Sequence, residues 1–444
     1  MSIFKFQIVN FLERFIRFNF IYFIILKRII SPKIKKSTTN NVSVFNTYDT
    51  GGGAAKIAKQ ISLFLREEYE LRFYVKTKET LEKWIFEIPV KTYSFLEEVL
   101  RREAVQKGWI EFTGFHVLKL LNDSFFISSN IVHLHNLHGE FFSPALYRAL
   151  FNGKKVIWTL HDENFITGHC SCTLGCDRWK IGCGKCPDLS IFPAVKYDNT
   201  KEILRLKKKW IKYLQPIVVC PSQWLAERVR IAYPELKKIV VIANGIDTTI
   251  FKPMNKAENR ELLGLPKDKI IVLFVAQFAT KNPFKGGGIV RDIVADKTFS
   301  NIVFVTVGGS HESDFENHIC FPYISEEREL AALYSACDLL LYPTQADNLP
   351  LVVLESMACG TPVIASNLGG IPEIIEDRLD GLLVNDYTNS LRFKDALCEY
   401  INFSPFERYL FSIKSVKKIN NNFTLIKMNI EYNNLYKSVL NVRE

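Results

Sequence analysis

Eleven short apolar runs, each followed by a turn and a helical stretch, constrain the fold of this chain more than any other feature. The first series is VSVFNT (42–47), LRFYVKT (71–77), NIVHLHN (130–136), KVIWTLH (155–161), PIVVCPS (216–222) and IVVIANG (239–245). The second is KIIVLFVAQ (269–277), NIVFVTVGG (301–309), DLLLYPT (338–344), TPVIAS (361–366) and GLLVN (381–385). Near-continuous apolar strands alternating with helices belong to parallel sheets covered on both faces. Two such series predict an α/β chain with two doubly wound domains. The change falls at NGIDTTIFKP (244–253), where Gly and Pro punctuate the pattern. Ligands of open parallel sheets bind outside the carboxyl ends of the strands. Two such domains facing each other predict a cleft, with its chemistry in the loops that follow strands.

The length of 444 residues, 48% of them hydrophobic, gives room for two or three domains with real cores. A net charge of +10 predicts attraction to an anion such as nucleotide phosphates or an anionic membrane. No stripe of interleaved basic and aromatic residues stands out, so nucleic acid is not expected as a partner. Residues 1–38 form a basic segment rich in Phe and Ile, and its longest uncharged run, 18–26, has nine residues. About 20 are needed to span a bilayer. No small-residue cleavage site follows, which argues against a signal peptide. With Lys27, Arg28, Lys33, Lys35 and Lys36 set against headgroups, the segment is expected to lie in a membrane interface. The alternative is a helix packed on the body of the protein.

Four loops carry chemistry-bearing residues. YDTGGGAAKIAKQI (48–61) follows the first strand and opens a helix. Its glycines allow close backbone approach, and the helix start offers free N–H groups to an anion. It is neither GxGxxG nor a P-loop, since it lacks the GK[ST] ending. WTLHDENFITGHC (158–170) puts His161 and Asp162 at a strand end, where His161 can hydrogen-bond a substrate. The histidines of VHLHNLHG (132–139) lack a Cys or carboxylate to complete a metal set, so a mixed core-and-loop origin is expected. In TKNPFKGGG (280–288), Lys285 beside three glycines suits a diphosphate. YPTQADNLPLVVLESMACGTPVIASNLGGIPEII (342–375) is the most informative stretch. Asp347 follows a strand, and LPLVVLESMACG reads as a short helix carrying Glu355. Two carboxylates at one cleft mouth fit vicinal sugar hydroxyls. A Glu in so apolar a helix needs a partner, which favours a ligand contact.

Taken together, GGGAA, TLHD, NGID…F.P, KGG, EERELAALYSACDLLLYPT and the block from DNLPLVVLE to GGIPEII resemble the retaining glycosyltransferases of family 4, which have the GT-B fold. The match runs over roughly 40–390. The segment TLHDENFITGHC…C…RW..GCGKCP looks like the sub-group that builds surface polysaccharides such as colanic acid and O-antigen chains. The resemblance implies two Rossmann-like domains: an acceptor domain over 39–245 with a Cys-rich insertion at 169–187, and a donor-nucleotide domain over 246–410. It also implies that helices in 411–444 cross back to the first domain.

The implied reaction moves a sugar (a hexosyl group) from a nucleotide-diphosphate-sugar to a lipid-linked polysaccharide or glycan acceptor, with retention of configuration and no catalytic metal. By position, Glu355 would hold the donor ribose hydroxyls and Asp347 would contact the donor sugar. Lys285 would bind the diphosphate, which Gly52 and Gly53 would approach. The backbone at Asn348 and Leu349 would contact sugar or phosphates, and His161 the transferring sugar. Two departures stand out: Asp347 occupies the place of the usual Glu, and Gln277 stands where a basic residue is usual. Expected localisation is cytoplasmic, peripheral on the inner membrane surface. Other readings are a non-catalytic sugar-nucleotide-binding assembly subunit, or another GT-B enzyme such as an epimerase.

Five of the ten cysteines lie within seventeen residues, 170–186, in the spacing C-x-C-x3-C-x6-C-x2-C. The closing CGKC is a metal half-site. Resemblance to the sub-group supplies Cys170 and Cys176 as the other pair, beside Cys183 and Cys186. Structural zinc, disulfides and free thiols all stay open, and a nucleophilic role is disfavoured because sugar transfer needs no thiol.

Overall fold

The computed structural model describes residues 41–88, 95–110, 113–277, 281, 284–309, 313 and 315–441. The basic segment 1–38, expected to be interfacial, lies outside them. Two separate parallel sheets form, as the two series of apolar runs require. The first holds β1 (Asn41–Tyr48), β2 (Glu70–Thr77), β3 (Ile85–Glu87), β4 (Ile131–Leu134), β5 (Lys155–Thr159), β6 (Ile217–Cys220) and β7 (Ile239–Val241). Their spatial order is β3-β2-β1-β4-β5-β6-β7. The second holds β8 (Ile271–Val275), β9 (Val303–Val307), β10 (His318–Phe321), β11 (Leu339–Tyr342), β12 (Val363–Ser366) and β13 (Gly381–Val384), in the order β10-β9-β8-β11-β12-β13. Strands β4, β9, β11 and β12 are buried at every residue, the pattern of strands covered on both faces.

The order of each sheet reverses once. In the first sheet the reversal lies between β1 and β4, and in the second between β8 and β11. Crossovers leave these points in opposite directions, so a crevice opens beyond the strand ends. The loops at these reversals hold the glycine-rich stretch and His135 in the first domain. In the second they hold Lys285 and the run from Thr344 to Leu349.

Helix α1 (Gly52–Leu65) follows β1, and α2 (Gln223–Ala232) follows β6. In the second domain, α3 (Gly287–Val294) follows β8, α4 (Glu327–Ala336) precedes β11, and α5 (Leu351–Ala358) lies between β11 and β12. Helix α6 (Pro405–Asn422) opens with a reciprocal capping box between Ser404 and Glu407 and has Pro405 at its start. It packs on the second domain, where the Ser415 hydroxyl donates to the Asp380 carbonyl at 2.8 Å. Helix α7 (Leu425–Asn441) then lies on the first domain, and Lys155 Nζ donates to the Val439 carbonyl at 2.6 Å. Backbone bonds from Ile246 N to the Phe423 carbonyl and from Leu425 N to the Ile246 carbonyl tie the two crossings of the chain together. Among the described residues no helix is long and apolar enough to cross a membrane.

Candidate active site

Two glycines show how tightly the second domain's loops are set. Gly286, the cap of α3, has φ +74°, and a Cβ there would stand 1.9 Å from the Pro343 carbonyl oxygen. Gly369 has φ +61°, and its Cβ would stand 2.0 Å from the Asp347 carbonyl oxygen. Only glycine satisfies both the left-handed backbone and the lack of space. The first contact presses the Lys285 loop against the loop that carries Asp347, and the second packs the Gly369 turn against Asp347 itself. Lys285 Nζ lies 2.6 Å from Asp347 Oδ2. The same oxygen accepts from Tyr342 OH at 2.6 Å and from Thr344 Oγ1 at 2.9 Å. Asp347 is thus fixed by three donors on one oxygen.

Asn348 and Leu349 sit where the two domains touch. Ser222 Oγ, the cap residue of α2, is 2.6 Å from Asn348 Oδ1, and Asn244 Nδ2 donates to the Leu349 carbonyl at 2.9 Å. The Asn348 carbonyl accepts from Gly370 N at 2.7 Å. Asn348 Nδ2 is buried with no hydrogen-bond partner, a donor left over beside the cleft. Glu373 of the second domain accepts from Gln223 N and Trp224 N of the first, at 2.9 and 2.8 Å. A carboxylate on the N-terminal end of α2 is a favourable dipole contact. No side chain caps α5, whose first N–H groups face the same region.

Glu355 on α5 is 4% exposed. Its Oε2 accepts from Tyr334 OH at 3.3 Å, and Lys56 Nζ of α1 is 2.7 Å from its Oε1. Lys56 also reaches Glu327 at 2.8 Å. The glycine-rich loop meets the second domain here. A Cβ on Gly53 would be 3.5 Å from Leu351 Cδ1, whereas one on Gly52 would meet nothing within 4 Å. The two glycines therefore differ: Gly53 is a domain contact and Gly52 borders open space.

His161, half-buried, ends a ladder of imidazoles whose His133 and His135 are buried. His161 Nε2 is 2.9 Å from His135 Nδ1, with the rings stacked at 17°. His133 pairs with Tyr436 OH and with Thr159 Oγ1, each at 2.8 Å. His138 Nε2 is 2.8 Å from Asp162 Oδ2. Burial pushes the His161 pKa down to about 4, with Asp162 opposing the shift, and pushes His133 to about 3. His161 therefore acts as a neutral hydrogen-bonding group. It pairs with His135, which sequence reasoning did not connect to it.

Hydrogen bonds and ion pairs brace the Cys-rich insertion. Among the described residues, no group of three or more His, Cys, Asp or Glu side chains is placed to hold a metal ion. The proposed set Cys170, Cys176, Cys183 and Cys186 lines one small cavity, but all ten cysteines are free thiols and Cys186 Sγ donates to the Asp188 carbonyl at 3.3 Å. As these thiols are placed, no metal site is found among them. Buried Glu163 braces the loop. It accepts from Thr173 N at 2.7 Å and pairs with Arg228 at 2.6 Å, and the Arg228 guanidinium lies over the Trp179 and Trp224 rings at 4.5 and 4.8 Å. Cys172 is not part of that cavity's lining and lies within electrostatic reach of Glu163, Asp162, Lys285 and Asp347. A cavity of about 350 Å³ opens beside this loop, lined by Tyr48, Gly51, Lys76, His138, Glu140 and Phe192 among others.

Of the residues that sequence reasoning named, Lys285 and Asp347 pair directly, Asn348 and Leu349 touch the first domain, Glu355 meets Lys56 of that domain, and Gly53 faces Leu351, while His161 lines a separate first-domain cavity. Sequence reasoning did not name Lys56, Tyr342, Thr344 or Ser222. The available signal for Lys56 was its place one helical turn after Gly52, on the same face of α1.

Two family models match the chain: Glycosyltransferase Family 4 over residues 52–250, and Glycosyl transferases group 1 over residues 255–410. This chain belongs to the family 4 glycosyltransferases. Its fold is GT-B. Over 263 residues it is 27% identical to a protein named for colanic acid biosynthesis, the glycosyl transferase WcaC of Escherichia coli K12, covering 55% of this chain and 62% of that one. It is 30% identical over 174 residues to the D-inositol 3-phosphate glycosyltransferase of Acidothermus cellulolyticus, covering 34% of this chain and 38% of that one. The chain thus spans less than two thirds of the length of these relatives. Sucrose-phosphate synthase from Thermosynechococcus elongatus superposes with a TM-score of 0.67 at 17% identity, over 90% of this chain and 99% of that one. Anabaena HepE in complex with UDP-glucose superposes with a TM-score of 0.61 at 16% identity, over 89% and 99%.

Proposed function

We propose that this glycosyltransferase moves a hexosyl group from a nucleotide-diphosphate-sugar to a lipid-linked glycan acceptor, with retention of configuration. The observation that carries the reading is the convergence of Lys285, Asp347, Glu355 and the uncapped start of α5 on one interdomain cleft. Departure of a nucleoside diphosphate builds negative charge. Lys285 and the N-terminal ends of α3 and α5 are preorganised to stabilise that charge, and a cleft that excludes water makes them more effective. Asp347, locked by Tyr342 and Thr344, is set to accept from donor-sugar hydroxyls. Neutral His161 is set to hydrogen-bond the transferring sugar without adding charge. No step calls for a metal. The 350 Å³ cavity lies on the first-domain side, with exposed Phe192 and Tyr48 at its edge, and suits a saccharide acceptor. HepE, crystallised with UDP-glucose, and WcaC, named for colanic acid, support the donor class and the polysaccharide setting by likeness.

A thermal-shift screen of UDP, GDP, ADP and TDP sugars tests the donor class. At 100 times its dissociation constant, one donor should add about 2.7 kcal/mol of apparent stability. No shift from any of them would favour the non-catalytic reading. We place the enzyme on the cytoplasmic face of the inner membrane, held peripherally by residues 1–38. Sedimentation with anionic vesicles should capture the full chain, and deletion of 1–38 should abolish capture at about 0.15 M salt. Equal capture of both forms would remove that assignment.

A further inference from the structure

Lys56 is the residue whose geometry the reaction scheme leaves unused. It belongs to the first domain, yet its ammonium sits on Glu355 of the second at 2.7 Å. It also pairs with Glu327 at 2.8 Å and lies 4.9 Å over the Phe251 ring. Burial, the largest single influence on Lys56, disfavours its charge. The two carboxylates outweigh burial and raise its pKa.

A carboxylate offers about four acceptor positions, two on each oxygen. In Glu355, Lys56 takes one position on Oε1 and Tyr334 takes one on Oε2. One position then remains on each oxygen. Two acceptors side by side match a vicinal cis-diol, one hydroxyl to each oxygen. With both ends of the carboxylate held by donors, its plane cannot rotate away from that arrangement.

We propose that Lys56 is a positioning residue that orients Glu355 for the donor ribose and makes recognition of the ribose 2′-hydroxyl depend on the first domain. The proposal rests on the nucleotide-donor reading. It also couples closure of the cleft to ribose recognition, because the orienting ammonium arrives from the opposite domain.

The test compares UDP with 2′-deoxy-UDP, and GDP with 2′-deoxy-GDP, by titration calorimetry on the full chain. The wild type should prefer one ribonucleotide over its deoxy form on the order of 10- to 100-fold, the range for a hydrogen bond to a charged group. Lys56→Met should weaken the ribonucleotide and bring that ratio close to one, while leaving the deoxynucleotide nearly unchanged. Lys56→Arg should restore most of the ratio. A fold-only role would weaken both nucleotides alike, and that result would overturn the proposal. Tighter ribonucleotide binding by Lys56→Met would also overturn it, since Lys56 would then compete with the ribose. If Lys56→Met does not fold, Lys56→Gln, which keeps a donor group, is read by the same ratio. If the wild type binds neither ribonucleotide nor deoxynucleotide, the donor reading falls first. If it binds both equally well, only the Lys56 proposal falls.

Discussion

Replacing Lys285 by Ala is expected to lower kcat/KM for the sugar donor by about 10²- to 10³-fold, or ~3–4 kcal/mol of transition-state stabilisation. Lys285 is held by Asp347 and by the Tyr342 hydroxyl, 3.3 Å away, so its charge is already in place when the diphosphate leaves. Its loop is fixed against Pro343 through Gly286. Preorganisation of this kind costs nothing at the moment of reaction, which is why one cation can supply so much. Gln277, at the end of β8, brings no charge of its own, so Lys285 carries more of the load. Steady-state kinetics with kcat and KM separated check this. A fall confined to KM would show that Lys285 binds donor and transition state equally. A fall of less than about threefold would remove it from the leaving-group site.

Stability is expected to drop steeply as the pH falls from 7 to 5. His116 and His161 are pushed by burial to about 4, and His133 to about 3, from an ordinary 6.5. His135 moves the same way, again through burial. Each is neutral in the folded protein. As the pH falls below 6.5 the unfolded chain takes up these protons first, so the stability present above 6.5 is lost through the window between 6.5 and about 4. At pH 5 each of the three contributes a loss of about 2 kcal/mol, and up to ~6 kcal/mol together. That is comparable with the 5–15 kcal/mol typical of a whole domain. Urea unfolding at pH 7.5, 6 and 5 reads this directly. A midpoint that stays constant across the range would show that these imidazoles are not held neutral. The same burial keeps His161 uncharged across the physiological range, so activity between pH 6 and 8 should not follow its titration.

The doubly wound character of both domains was legible because central strands are buried on both faces and must be apolar throughout. β9 reads VFVTV and β11 reads LLLY, and nothing in either run admits another assignment. The edge strands β3 and β10 were not legible. They are short and half-exposed, IFE and HICF, and need no continuous apolar run. The carboxylates of the site could be read because Glu355 interrupts an otherwise apolar helix. Lys56 was harder to read, since its one signal is its place a helical turn after Gly52, and a lysine on a surface-like helix face does not announce that another domain covers it. The bracing of the Cys-rich loop was not legible either, since Glu163 and Arg228, which pair to hold it, lie 65 positions apart and share no motif.

Helix α7 makes the first domain wait for the end of the described chain. His133 and Tyr436, buried partners, are separated by 303 positions, and the whole second domain is threaded between them. In topological terms the second domain is an insertion within the first. During synthesis, His133 and Thr159 can pair with each other but lack Tyr436 and Tyr432 until α7 has emerged, so the first sheet is completed after the domain that follows it. The two domains are thus not separable modules that evolution could exchange at the 244–253 seam, because the first closes only through the chain on the far side of the second.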